Sequence, residues 1–459
     1  MSGFFTIGEI KDRPGVYYRY ENAGSAESDA DEGIGAVVGH SDWGPLNTPV
    51  HVTPDTSILA AIGSGDGVDA VTEMMHGGCN EVVFVRIGSG GTKPTITFSG
   101  ITLTAKYPSS RLFSITVKET LEDASVKKFV LYEGSTILET KTFTADANAT
   151  EAQALAAALE NSKYVDVVVA SSASTVAETN QASFTAGVDP TSTISSYSAG
   201  FEALEPEYFS VLCVDSTQNS VHAMVEAFLD RIYEAGAFPM AIVAEDMSIA
   251  YDTRMTHAAT FNDEKMVYLL NGFVTANGAM RRFLAAARIG GMIAASDSNT
   301  SLTHQVIADA IGLDESFTNT QIIKGLKKGC LILSLNSSKE VIIEKAITTL
   351  VSLGDNQDRG WKKIRRVKTR MELMRRIQNT VDALIGKVDN DEDGRATIIA
   401  AIQRVLDAMI GEKKLSSGTA NLDETNAPYG DSAWFVIAVD DLDSIETIYL
   451  TYQYRFAVE

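Results

Sequence analysis

Eight basic side chains fall between Trp361 and Arg376: Lys362, Lys363, Arg365, Arg366, Lys368, Arg370, Arg375 and Arg376, opposed only by Glu372. The 459-residue chain as a whole carries a net charge of -22. A local excess of this kind reads either as a solvated face or as a docking surface for an acidic partner. It does not read as a general nucleic-acid surface, which needs dominant positive charge to displace counterions from phosphate. Trp361, Ile364, Val367, Met371 and Met374 would form a helical stripe through the run, although IRRVKTR fits a strand equally well.

The other candidate chemistries fail on spacing. Asp389, Asp391, Asp393 and Gly394 match early positions of a calcium loop, but position twelve is Ala400 where a bidentate glutamate belongs. The alternative is a polar turn with an acidic helix cap. His76-Gly-Gly-Cys79 offers two ligands and lacks a second pair. Gly88-Ser-Gly90-Gly91-Thr92-Lys93 follows a strand-like run but leads into Pro94, not into the helix N-terminus that a phosphate cradle requires. Gly63-Ser-Gly65-Asp-Gly67 has the wrong spacing for a dinucleotide loop. The six histidines show no paired spacing, and no GxSxG is present. No catalytic residue, metal ligand or cofactor is assigned.

Composition agrees with a folded, non-enzymatic chain. Hydrophobic residues make up 45% and charged residues 21%, enough apolar material for several cores. Cys79, Cys213 and Cys330 are odd in number and widely spaced, so a disulfide framework is not expected and a reducing compartment is. The N-terminus lacks a secretory pattern, and the apolar runs are too short to span a bilayer. Cytoplasmic assembly without membrane insertion is the expectation.

The elements that must position these residues suggest a mixed α/β, multidomain chain. Residues 1–33 read as an N-terminal arm and linker. Pro14 disfavours helix at Arg13, Val16-Tyr17-Tyr18 favours strand, and the small acidic stretch from Asn22 to Gly33 reads as a mobile linker. Residues 34–93 plus 190–345 read as a discontinuous α/β core. It has buried strands at 34–39, 81–87, FSVLCVD and PMAIVAED, with a parallel crossover through a helix at 221–235. KMVYLLNGFV and CLILSL read as further strands, and 280–295 as a helix. Residues 94–189, rich in Thr, Ser and Val with alternating runs, read as an inserted β-rich domain of sandwich or barrel type with one helix at 151–161. Residues 346–459 read as an α+β C-terminal domain with helices at 371–388 and 397–410. WFVIAVDD and ETIYLTYQYRF read as its strands. In the last, Ile448, Leu450, Tyr452, Tyr454 and Phe456 alternate on one face.

Several segments, in order, resemble the contractile phage-type tail sheath family. They are Lys11-Asp-Arg-Pro-Gly-Val-Tyr17, Ala286-Ala-Arg-Ile-Gly-Gly-Met-Ile-Ala294 with Asn299-Thr-Ser-Leu-Thr303, Ala346-Ile-Thr-Thr-Leu350, Ile385-Gly-Lys-Val-Asp-Asn390 and Asp441-Leu-Asp-Ser-Ile-Glu-Thr-Ile-Tyr-Leu450. The resemblance implies a structural subunit that stacks as rings of six around an inner tail tube, ends on baseplate and tail terminator proteins, and belongs to a virion or tailocin particle. It also implies exchange of terminal strands between subunits, and contraction that drives the tube through a target envelope. On that reading Arg13, Pro14, Gly15, Val16, Tyr17 and Tyr18 form one inter-subunit arm. Ile448, Leu450, Tyr452, Tyr454 and Phe456 form the other. Lys362, Lys363, Arg365, Arg366, Lys368 and Arg370 face the tube. The rival readings are an α/β enzyme with an inserted β domain, which would need a convergent acid, base or metal cluster, and a β-domain adhesin, which would need a secretion signal.

Overall fold

A computed structural model describes residues 2–4, 16–18, 33–355 and 357–454. Its centre is a seven-stranded sheet in the order Cys330–Leu331, Met266–Leu269, Met240–Val243, Val211–Val214, Ile34–Gly39, Glu81–Arg86, Pro49–Val52. Every neighbouring pair is parallel except the last, where Pro49–Val52 runs antiparallel along Glu81–Arg86. These strands are continuous apolar runs because helices cover both faces. Val37, Phe84, Cys213, Ile242 and Leu269 point to one side, under helices Asp66–His76 and Arg282–Ala295. Val38, Val85, Leu212, Val243 and Tyr268 point to the other, under Ser196–Leu204, Asn219–Glu234 and Tyr251–Phe261. The expected crossover is present, since Asn219–Glu234 joins two parallel strands of this sheet.

Helices Asp66–His76 and Arg282–Ala295 approach so closely that a Cβ on Gly291 would lie 2.1 Å from the Met74 carbonyl oxygen. The Gly290-Gly291 pair is therefore a packing requirement of the sheet's cover.

Between Thr95 and Ser183 the chain forms two antiparallel sheets, one of four strands and one of three. They enclose Ile101, Leu103, Phe113, Ile115, Phe129 and Leu131, with helix Glu151–Ala158 started by a Thr150–Gln153 capping box. The ingoing and outgoing chains pair at Ser89–Thr191, Thr92–Val188 and Thr95–Thr185. Buried Arg86 ties this unit to the central one by donating to the carbonyls of Ser41, Gly44 and Pro108.

Helices Ile364–Asp382 and Glu392–Gly411 pack with a two-stranded hairpin, Leu415–Leu422 and Phe435–Asp441, around Leu373, Leu406 and Met409. One open alternative is resolved and two expectations need correction. The segment IRRVKTR is helical, because Ile364, Val367 and Met371 bury a stripe at helical spacing. KMVYLLNGFV is two strands in different sheets, Met266–Leu269 and Phe273–Thr275, broken at Gly272. Residues 446–454 carry no strand. A strand needs a paired edge, and the single chain offers this segment none.

Candidate assembly surface

The basic run opens helix Ile364–Asp382, and most of its charge is engaged within the chain. The Arg366 guanidinium grips Asp441 through Nε–Oδ2 at 2.5 Å and Nη2–Oδ1 at 2.8 Å, and holds Asp358 at 2.7 Å. Burial works against this charge, but the carboxylates of Asp441 and Asp358 prevail and raise its pKa. Lys363 pairs with Asp443 at 2.7 Å and Glu446 at 3.1 Å. Lys368 donates to the Ile293 carbonyl at 2.5 Å, which caps the C-terminal end of helix Arg282–Ala295. Arg370 pairs with Glu264 at 2.7 Å and lies 4.1 Å over the Trp361 ring.

Lys362 differs. Burial, with Lys345 and Arg359 nearby, lowers its pKa. Arg365 is half-buried beside it. Lys345 is itself paired with Glu446 at 3.9 Å, so the part of this region without a carboxylate partner among the described residues is Arg359, Lys362 and Arg365, a shift from the run as read in sequence.

Glu372, the lone acid of the run, is buried. It accepts from Lys414 at 2.7 Å and from the Ser298 hydroxyl, and pairs with Arg376. Burial opposes the Lys414 charge, but its bond to Glu372 outweighs burial and raises its pKa. One carboxylate thus joins both C-terminal helices to the central unit.

Beyond the hairpin the chain stays tethered through Glu446, whose Oε1 accepts from Thr303 at 3.1 Å and Ser301 at 3.3 Å. After that it leaves the body. Ile448 is 73% exposed, Tyr449 91%, Leu450 70%, Tyr452 72% and Tyr454 85%. Both faces of this apolar segment are bare; Phe456 lies outside the described residues. The hairpin beside it has two strands and two outer edges, with Val436 and Val439 exposed along one of them.

At the other terminus, Ser2–Phe4 and Val16–Tyr18 pair in parallel. Arg13, Pro14 and Gly15, and the acidic linker up to Gly33, lie outside the described residues.

Sequence spacing concealed two histidine–carboxylate pairs at the carboxyl end of the central sheet. His40 Nδ1 lies 2.7 Å from Asp215, which also accepts from Tyr197 at 2.6 Å. His257 Nδ1 lies 2.9 Å from Glu245, which accepts from Tyr268 at 2.5 Å. Each carboxylate ends a strand, and its histidine lies on a different element, 175 residues away in the first case. The first separation leaves no motif to read, and the second pair, 12 residues apart, matches no motif spacing. Both tyrosines have pKa values raised, first by burial, so they remain hydrogen-bond donors. The arrangement cross-ties strands and helices. Asp391 accepts from the Gly394 N–H at 2.8 Å as the N-cap of its helix. Among the described residues no group of three His, Cys, Asp or Glu is placed to hold a metal. The three thiols are buried, and burial pushes each up to about 12.

Residues 191–349 match the family model described as the phage tail sheath protein central domain. The segment covers four of the seven central strands and helix Arg282–Ala295. The chain is similar to the phage-like element PBSX protein XkdK of Bacillus subtilis (strain 168), 21% identical over 97% of this chain and 98% of that one. Its fold is that of a sheath tail protein from Desulfitobacterium hafniense, with a TM-score of 0.70 at 18% identity over 93% of this chain and 100% of the other. It also matches the contracted helical sheath of the anti-feeding prophage, with a TM-score of 0.55 at 10% identity over 97% and 99%. The resemblance to the phage-type tail sheath family read from the sequence is thus supported over residues 191–349 and by the shared fold.

Proposed function

We propose that this chain is the structural subunit of a contractile tail sheath. It polymerises in stacked rings of six around an inner tube, and its shortening drives that tube through a target envelope. The observation that carries the reading is the bare segment from Ile448 to Tyr454 together with an open two-stranded hairpin in the same body. An extended segment gains a full set of backbone hydrogen bonds by lying along another copy's sheet edge, and its alternating apolar side chains gain a surface to cover. The N-terminal arm, Arg13 to Tyr18, serves the same exchange from the other end. The likeness to a contracted helical sheath supports contraction. Baseplate and terminator proteins at the tube's ends, assembly in the bacterial cytoplasm and residence in a virion or tailocin complete the proposal, with no enzymatic step.

Lys362 and Arg365, with the adjacent Arg359, are the basic residues best placed to meet an acidic tube. Half-exposed ion pairs are individually weak and screened by salt, so many of them hold collectively and still release. Negative-stain microscopy of the purified chain, alone and with tube protein, tests the function. Striated hollow cylinders are expected, and discrete globules under all conditions would refute it.

A further inference from the structure

Gly88, Gly90 and Gly91 lie where the chain leaves the central unit for the two antiparallel sheets, all at positive φ. A glycine-rich, two-stranded link of this kind would by itself be a hinge, and the β-rich unit beyond it a loosely tethered accessory. A side chain from the central unit crosses that hinge. Trp43 follows the central strand Ile34–Gly39, yet it is fully buried in the core of the β-rich unit. Its ring lies edge-on to Tyr107 and Phe113, with centroids 5.1 and 5.5 Å away. Its Nε1–H donates to the Ala60 carbonyl at 3.1 Å, on the short helix Ile58–Ala61 of the central unit. The indole is therefore bonded to one unit and packed inside the other.

Two arginines close around this peg. Arg111 of the β-rich unit sets its guanidinium 5.1 Å from the centre of the Trp43 ring while its Nε donates to Glu133 at 2.6 Å. Arg86 spans the junction, donating to Ser41 and Gly44 at 2.8 Å on the loop that carries Trp43, and to Pro108 at 3.2 Å in the β-rich unit. The link itself has no slack, since a Cβ on Gly91 would lie 2.7 Å from the Val188 carbonyl oxygen. We infer that the β-rich unit is a rigid arm of the central sheet, locked across its glycine hinge by Trp43. Close-packed interiors transmit displacement instead of absorbing it, and a buried aromatic peg supplies such a contact. The inference does not rest on the sheath reading. Within a contracting array its consequence is that the β-rich unit turns through the same angle as the sheet, and carries whatever is attached to its surface by that angle.

The test uses the full chain with nitroxide labels at Lys128→Cys in the β-rich unit and Thr253→Cys in the central unit, both exposed. The native cysteines are buried and do not compete for label. A control pair, Glu202→Cys with Thr253→Cys, lies within the central unit, on two helices that cover the same face of the sheet. With Trp43 in place, pulsed electron resonance is expected to give one Lys128–Thr253 distance, distributed no more widely than the control. Trp43→Ala should broaden that distribution at least twofold and leave the control unchanged, which shows that the central sheet remains folded. Trp43→Phe, which keeps an aromatic ring in the socket, should narrow it again. If Trp43→Ala broadens the control as well, Trp43→Leu is compared in the same way. A distribution already broader than the control with Trp43 present would overturn the inference, and so would a width that does not respond to replacing Trp43.

Discussion

Arg366 and Asp441 face each other as a two-bond fork, joining the first turn of helix Ile364–Asp382 to the last residue of the C-terminal hairpin. Both side chains are largely buried, so removing one partner leaves the other poorly solvated. Asp441→Asn should cost about 2 kcal/mol, the usual scale for a hydrogen bond to a charged group. It should lower the urea midpoint and speed amide exchange from Phe435 to Glu446, with the central sheet unaffected.

That fork changes how the basic run must be tested. Reversing Lys363 or Arg366 would detach the chain's own hairpin and tail, whatever the tube does. Arg359→Glu with Lys362→Glu leaves those ties in place. Under the proposed function the double variant should keep its thermal midpoint within a few degrees and form sheaths that recruit tube poorly, more so at higher salt. Co-sedimentation with tube protein is the measurement, and undiminished recruitment would remove these residues from the interface.

The exposed tail separates folding from assembly. Leu450→Asp with Tyr452→Asp touches nothing buried in the single chain, so stability should change by no more than about 0.5 kcal/mol. Polymerisation should fail, as read by sedimentation velocity. A chain beginning at Gly33 should likewise fold and remain unpolymerised.

Gly291 offers the opposite case. A methyl group there would meet the Met74 carbonyl at 2.1 Å and wedge two helices apart. Gly291→Ala should destabilise by about 2 kcal/mol, in the range for overpacked cores. A thermal melt showing no loss would mean that the helices separate freely.

Two histidines give stability opposite dependences on pH. The hydrogen bond to Asp215, partly opposed by burial, raises the His40 pKa above its ordinary value of about 6.5. Its contribution is therefore complete below that value and is lost as pH rises through the elevated folded pKa. Burial lowers the His222 pKa, so its contribution is present above about 6.5 and is lost as pH falls toward the depressed value. Urea midpoints followed against pH should fall on both sides. His40→Asn should flatten the alkaline limb alone.

Much of this architecture was legible because it repeats along the chain. The continuous runs at 34–39, 211–214 and 240–243 announce strands covered on both faces, and Asn219–Glu234 shows a helical apolar stripe. The strand Leu415–Leu422 was not legible. Its sequence, LSSGTANL, buries only Leu415 and Ala420, so it has too few apolar positions to set a period. The basic run was visible as charge, but its carboxylate partners Asp441, Asp443 and Glu446 lie some 75 to 83 residues away, and only the fold brings them together. The His40–Asp215 pair stayed hidden for the same reason. The tail's alternation predicted a strand that residues 446–454 do not form within one chain, because pairing requires a second edge.

Glu446 also fixes a length. It is the last residue of the described tail held by side-chain bonds to the body, through Thr303, Ser301 and Lys363. The eight residues from Thr447 to Tyr454 can reach at most about 29 Å when fully extended. If Tyr454 lies on a neighbour's hairpin, that hairpin can never move beyond this radius of Glu446. The tail then acts as an inextensible leash, and a shortening array must swing its bodies about such pivots, since it cannot pull them apart.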